Sequence, residues 1–388
     1  MAKIITYGKQ YIDSKDIKSV IKVLKSSSIT QGHIVNQFGF NVSKFVGAKY
    51  GVAVSSGTAA LHLSLLALNL KPGDQVITSP ITFCATANAV LYNGADVKLV
   101  DIDPKTLNID YNKIEKEITK KTKVIIAVDF RGHAADLFNI YKLAKKYKIK
   151  VIEDASHSLG SSYFINKKKF MCGDCNHADL ATFSFHPVKH ITTGEGGVIT
   201  TNNLKLYKKL LLLKKHGIDK NKSMINPKKK IGEWKYDMFH LGYNYRLTNF
   251  QAALGISQLK KINSFMKERK KIVSFYNKEL KDIKDIILPY EKKDFLSNFH
   301  LYVIRVNNKK KTNRFSLFNY LKKNSIISQV HYIPIHYLSY YKKKYRFNNN
   351  DFPEAKNYYD RALSLPLYPG LSSVELQKVV KVLKNYFK

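Results

Sequence analysis

A lysine side chain attacks or moves a proton only as the neutral amine, so a lysine that does chemistry must sit where its charge is disfavoured. Lys189 has the setting for this: it follows the strand-like run ATFSFHPV and precedes HITTGEGG, a glycine-rich turn leading into a second strand, GVITT. Two earlier segments offer chemistry that would complement an amine. SSGTAALHL, after the apolar run YGVAV, sets Gly57 and Thr58 at the start of a predicted helix, where free N–H groups and the helix dipole attract a phosphate. An ordinary Ser/Thr cap would carry the same letters. KVIEDAS ends an apolar run in two acids, and a buried carboxylate needs a partner. Asp154 would therefore face a cationic ring nitrogen, a metal or a nearby lysine, or cap a helix. A phosphate turn, a carboxylate and an isolated amine thus follow one another along the chain.

The elements that must bring them together are legible as alternating strand and helix patterns. From about residue 46 to 199, short apolar runs (YGVAVSS, QVITSP, VKLVDI, VIIAVDF, KVIEDAS) alternate with helical stretches (TAALHLSLLALNL, TANAVLYNG, KLAKKYK). Such alternation predicts crossover units and a mostly parallel sheet, with the ligand site at the strand-to-helix junctions. After about Asn249 the character changes to a long helical segment, then strand-like NFHLYVIRV, helical FSLFNYLKKN and the tyrosine-rich VHYIPIHYLSYY. The expected organisation is a large α/β domain over 1–250 and a smaller α+β domain over 251–388. The Lys/Asn-rich loop over 217–230 is expected to be mobile and near a cleft.

Composition narrows the class. The chain has 388 residues, 44% of them hydrophobic, enough for a large core, and its three cysteines are too few for a disulfide framework. No apolar run approaches the ~20 residues of a membrane helix, and MAKIITYGKQ lacks a signal-peptide core. A cytoplasmic protein without a membrane partner is expected. The net charge of +37 invites a nucleic-acid reading, yet only seven of the 66 basic residues are Arg, and Arg supplies the planar fork for base and phosphate contacts. The lysines are spread through nearly every segment, as on a solvated surface that also attracts anionic substrates. No nucleic-acid partner is expected. Cys172, Cys175 and His177 resemble half of a zinc site, but the second cysteine pair is absent and no metal is expected.

With these residues in view, the sequence resembles the DegT/DnrJ-type sugar aminotransferases of the aspartate-aminotransferase-like fold, fold type I. The likeness covers nearly the whole chain, through Thr30-Gln31-Gly32, SSGTAALHL, SPITFCATANA, VDIDP, EDASHSLG, FSFHPVKHITTGEGG, LGYNYRLTNFQAALGISQL, HYIPIHY and SLPLYPGLS. The resemblance implies pyridoxal 5′-phosphate as cofactor, with Lys189 forming its Schiff base and Asp154 pairing with the pyridinium nitrogen. It implies Gly57, Thr58 and Ser184 at the cofactor phosphate, Phe83 stacked on the ring, and His157 beside the ring oxygen. Asn244 would reach the phosphate of a neighbouring subunit's cofactor, so a homodimer with a shared site is implied.

Within the family, FSFHPVK with ITTGEGG and NYRLT looks most like transaminases of the pseudaminic-acid route. These pass the amino group of L-glutamate to the C4 ketone of a UDP-linked 4-keto-6-deoxy-N-acetylhexosamine. Some relatives carry histidine in place of the lysine and act as dehydratases; Lys189 favours transamination. Thr30, Arg246, His331 and His336 are the candidate substrate contacts, and Tyr337, Tyr340 and Tyr341 candidates for stacking on uracil, each with a plain packing role as the alternative. Competing readings are an aminotransferase for another nucleotide keto sugar (a UDP-4-keto-pentose or dTDP-keto-hexose) and a basic DNA-binding regulator that keeps the fold.

Overall fold

The computed structural model describes residues 4–219, 234, 236–309 and 312–388. Its centre is a seven-stranded sheet of β1 (Tyr50–Val54), β2 (Gln75–Thr78), β3 (Asp96–Leu99), β4 (Thr122–Val128), β5 (Lys150–Asp154), β8 (Leu180–Ser184) and β9 (Gly197–Thr201). The hairpin strands β6 (Ser162–Ile165) and β7 (Lys168–Met171) lie outside it. The order in the sheet is β1-β9-β8-β5-β4-β2-β3. All neighbours from β8 to β3 pair in parallel, while β9 runs antiparallel to both β8 and β1. The expected mostly parallel sheet is present, with one reversed strand.

The strands read as continuous apolar runs because both faces are covered. Val52, Val54, Val76, Val124, Ile126 and Ile152 face one core, shared with helices Gly57–Ala67, Cys84–Tyr92 and Leu204–Leu213. The alternate residues Ile77, Ile125, Ala127 and Val151 face another, with helix Leu137–Lys146. Period-two alternation therefore sends Ile152 and Asp154 to one side of β5, and Val151 and Glu153 to the other.

A separate core forms in the C-terminal part. Tyr302–Val306 pairs antiparallel with Ala362–Leu365 and with Ile286–Ile287, and helices Arg314–Lys323 and Ser373–Tyr386 contribute Leu317, Leu321, Val379 and Leu383. The helix Ile262–Leu280 serves two cores, with Ile262 and Phe265 in one and Ile272 to Leu280 in the other. The N-terminal Ile5 also packs into this C-terminal core and bridges Ile326. Among the described residues no helix is long and apolar enough to cross a membrane. Of the loop expected over 217–230, residues 220–230 lie outside the described residues.

Candidate active site

Three strand ends meet at one cavity of about 400 Å³. Ser56 caps helix Gly57–Ala67, its hydroxyl accepting from Ala59 N at 3.0 Å, so the helix begins directly after β1 and presents Gly57 and Thr58 to the opening. Ser184, the last residue of β8, stands opposite. A Cβ on Gly57 would lie 2.8 Å from Ser184 Cβ, so glycine is what lets the helix start approach β8 this closely.

Asp154 ends β5 and is only 4% exposed. Its Oδ2 accepts from Thr86 Oγ1 at 2.7 Å; its Oδ1 accepts from Ser156 Oγ at 2.6 Å and Ser156 N at 3.2 Å. Thr86 is in turn joined to Thr82 through their hydroxyls at 2.8 Å. The carboxylate is thereby oriented while one edge remains on the cavity.

Lys189 lies in the return from β8 to the reversed β9. Lys189 N donates to His186 O at 2.9 Å, Phe185 N to Gly196 O at 2.9 Å and Thr193 N to Phe185 O at 3.0 Å, which fix the turn from both ends. The half-buried side chain lines the cavity with Asp154. Burial lowers its amine from 10.5 to about 8, with the nearby Asp154 charge opposing the shift. A substantial neutral fraction near physiological pH is what a nucleophile and proton carrier needs.

The remaining walls are aromatic and histidine-rich. His157 Nε2 hydrogen-bonds the Tyr332 hydroxyl at 3.0 Å, and its buried Nδ1 has no partner among the described residues. His300 packs on His157 with ring centroids 4.3 Å apart. Burial, then the Lys189 charge or that of neighbouring histidines, holds both imidazoles well below their ordinary range, so they are neutral. His331 lines the cavity too, is pushed down to about 3 by burial, and shares a 2.8 Å hydrogen bond with Ser364 Oγ. Phe83, 55% exposed, flanks the mouth with its ring 5.7 Å from that of Tyr332.

The structure thus brings Gly57, Thr58, Phe83, Asp154, His157, Ser184, Lys189 and His331 to one cavity. Thr30, Asn244 and Arg246 do not line it: Thr30 and Asn244 are exposed, and Asn244 bridges Lys215. His336 corrects the substrate-contact expectation. Its ring is fully buried away from the cavity, 4.8 Å from that of Phe352, because the short helix Ile335–Tyr337 turns it into the core. Tyr337, Tyr340 and Tyr341 do not line the cavity either; Tyr341 is buried and donates to Asn88 Oδ1 at 2.6 Å. Of the residues that resemble half a zinc site, His177 Nδ1 shares a hydrogen bond with Tyr163 OH at 2.7 Å and Cys175 Sγ one with Thr200 Oγ1 at 3.5 Å. Tyr7, Thr86, Ser156, His300 and Tyr332 are site residues that sequence reasoning did not single out.

A neutralisable amine, a fixed carboxylate and a helix-start anion cradle around one cavity define a class: a lysine-centred α/β enzyme with room for a phosphate-bearing ligand. Comparison with known proteins carries this further. Residues 10–384 match the DegT/DnrJ/EryC1/StrS aminotransferase family, and the chain belongs to it. It is 40% identical over 382 residues to a UDP-4-amino-4,6-dideoxy-N-acetyl-beta-L-altrosamine transaminase of Campylobacter jejuni, covering 95% of this chain and 93% of that one. It is 38% identical to the spore coat polysaccharide biosynthesis protein SpsC of Bacillus subtilis, covering 99% and 97%. Among solved structures it resembles Helicobacter pylori PseC, an aminotransferase of pseudaminic acid biosynthesis (TM-score 0.89, 31% identity, 99% of both chains). The PLP form of a sugar aminotransferase, Spr1654, from Streptococcus pneumoniae superposes with TM-score 0.90 at 30% identity, again over 99% of both chains.

Proposed function

We propose that this chain uses pyridoxal 5′-phosphate to transfer an amino group from L-glutamate to the C4 ketone of a UDP-linked 4-keto-6-deoxy-N-acetylhexosamine. The observation that carries the reading is the Lys189 amine and the Asp154 carboxylate on one cavity, in a chain 40% identical to a transaminase of that amino sugar. The residues present fit the cofactor. Gly57, Thr58 and Ser184 offer a helix start and hydroxyls to a phosphate, in a cradle that a Cβ would obstruct, and His157, whose buried Nδ1 has no partner among the described residues, lines the same cavity.

When bound, pyridoxal phosphate supplies an electron sink for a carbanion next to nitrogen. Asp154 would pair with the ring nitrogen, because an adjacent anion favours the protonated form. Thr86 and Ser156 keep that carboxylate aimed. Lys189 would hold the cofactor, and its neutral amine would take the proton from the α carbon of glutamate and, in the second half-reaction, deliver a proton to C4 of the sugar. Neutral His157 and His300, with Tyr332, wall the site from water without adding charge.

Asn244 and the exposed apolar Leu241, 78% exposed, lie on one segment outside this chain's own cavity. In the same reading that segment packs on a second copy, where Asn244 completes the phosphate site. The cofactor unit spans 1–250 and the smaller unit 251–388, a division supported by the separate C-terminal core.

Incubating the protein with L-glutamate and the UDP-4-keto sugar, and following the product by mass, tests the substrate. Formation of the 4-amino sugar is expected, and its absence while another nucleotide keto sugar is aminated overturns the choice of sugar. A GDP-linked keto sugar is the second substrate to offer, since the chain is 33% identical to a GDP-perosamine synthase of Caulobacter vibrioides over 98% of its length.

A further inference from the structure

Behind the sheet from Asp154 lies a pair of acids that the chemistry above does not use. Asp129 follows the end of β4 and Glu153 is the penultimate residue of β5; they are 0% and 2% exposed. One carboxyl oxygen from each and Cys172 Sγ lie within 4.8 Å of one another. Both Asp129 oxygens are already acceptors, Oδ1 from Ala135 N at 2.8 Å and Oδ2 from Ser158 Oγ at 2.6 Å. Glu153 Oε2 accepts from Gly173 N at 2.9 Å, which leaves Glu153 Oε1 as the one carboxyl oxygen of the pair with no donor.

Two buried carboxyl groups whose oxygens approach within 4.8 Å strongly disfavour both being ionised. A proton on Glu153 Oε1 resolves the arrangement, since it turns an acceptor without a donor into a donor toward Asp129. We propose that Glu153 and Asp129 share one proton, and that this acid pair is the positioning device that sets Asp154 and His157 at the cavity. The connection is short. Asp129 N donates to Asp154 O at 3.1 Å, and Ser158, held by Asp129, closes the turn that carries Ser156 and His157 through Ser158 N to Ala155 O at 3.0 Å. The pair therefore ties β4, β5, the turn after β5 and the Gly173 turn together at the strand end that carries the site.

The groups facing Glu153 agree with a neutral carboxyl. Burial, then the Asp129 charge and more weakly Asp174, push Glu153 well above the ordinary range. The same surroundings raise the Cys172 thiol and the Tyr163 hydroxyl, so neither supplies a charge of its own there. Among the described residues, the groups that act most on Glu153 include no cation, and only the Gly173 N–H opposes the upward shift.

The inference that the pair positions the site rests on Asp154 and His157 facing the cofactor; the shared proton does not. Infrared difference spectra of the holoenzyme at neutral pH, wild type against Glu153→Gln, test the proton. A protonated-carboxyl C=O band, shifted in D₂O and missing from Glu153→Gln, is expected. Absence of the band in the wild type, its persistence in the variant, or a stoichiometric metal ion lost in the variant would overturn the shared proton. Cofactor affinity from absorbance titration tests the positioning. Glu153→Gln, which can donate to Asp129 and accept from Gly173, should bind within about two-fold of wild type, whereas Glu153→Ala should weaken binding ten-fold or more. Wild-type affinity in Glu153→Ala overturns the positioning role. If the alanine variant does not fold, Glu153→Asp, shorter by one methylene, takes its place with the same criterion.

Discussion

Gly57→Ala is the perturbation whose consequence can be worked most directly from the structure. Gly57 has an ordinary helical backbone, so alanine is tolerated conformationally and even gains up to about 1 kcal/mol in helix propensity. The cost is steric. The new Cβ would meet Ser184 Cβ at 2.8 Å and Ser184 Oγ at 3.1 Å, where ordinary contact begins at 3.4 Å, so helix start and strand end must separate by roughly 0.6 Å. Overpacking of this kind costs about 1–3 kcal/mol. Because the separation opens the proposed phosphate cradle itself, most of the cost should appear in cofactor binding rather than in folding. A weakening of about 5- to 150-fold corresponds to that range. Absorbance titration of the cofactor-free variant measures it, with thermal unfolding as the control for global damage. Adding Ser184→Gly removes the clash and should make the double variant better than the sum of the single effects. Wild-type cofactor affinity in Gly57→Ala, or strict additivity in the double variant, would refute the reasoning.

Other consequences are as concrete. Lys189→Ala should keep the fold and lose the visible absorbance of lysine-bound cofactor; an unchanged band removes Lys189 from its proposed role. In the cofactor-free protein, burial disfavours the Lys189 ammonium, so the amine releases its proton earlier than a free lysine. Its acylation, followed by peptide mapping, should rise with pH to a midpoint of about 8 instead of 10.5, and a midpoint above 10 contradicts the burial argument. Thr86→Val removes the 2.7 Å hydrogen bond to Asp154 and should lower turnover about 10- to 150-fold, in line with ~1.5–3 kcal/mol for a bond to a charged group. Mixing inactive Lys189→Ala with inactive Asn244→Ala should restore part of the activity if sites are completed across two copies, and no recovery on subunit exchange would speak against sharing.

The parts of this site that are legible in the sequence are those on strand ends. Asp154, Ser184 and Gly57 each close or follow an apolar run, and once the runs are stacked in parallel their ends must meet at one edge. Lys189 is legible for the same reason, through its place between two runs. The wall opposite is not. Tyr7, His300 and Tyr332 come from regions far apart in the sequence, and nothing local says that they face the same cavity. In HYIPIHY the two histidines look equivalent; a single short helix at Ile335–Tyr337 sends His336 into the core while His331 stays on the cavity. Thr86 reads as an ordinary helix residue until the fold places it 2.7 Å from Asp154. Glu153 is visible only as the neighbour of Asp154, since its partner Asp129 follows a different strand.

The one strand that runs against the rest has a consequence for how the lysine can work. Because β9 returns beside β8, Lys189 is carried on a clasp closed at both feet instead of at the free start of a crossover helix. Its α carbon is thereby anchored, and all of its reach must come from rotation about the side-chain bonds. An amine on such a pivot can reach different points of the cavity by turning about its side-chain bonds alone, like a swinging arm, because the backbone from Phe185 to Gly196 is hydrogen-bonded to itself at both ends.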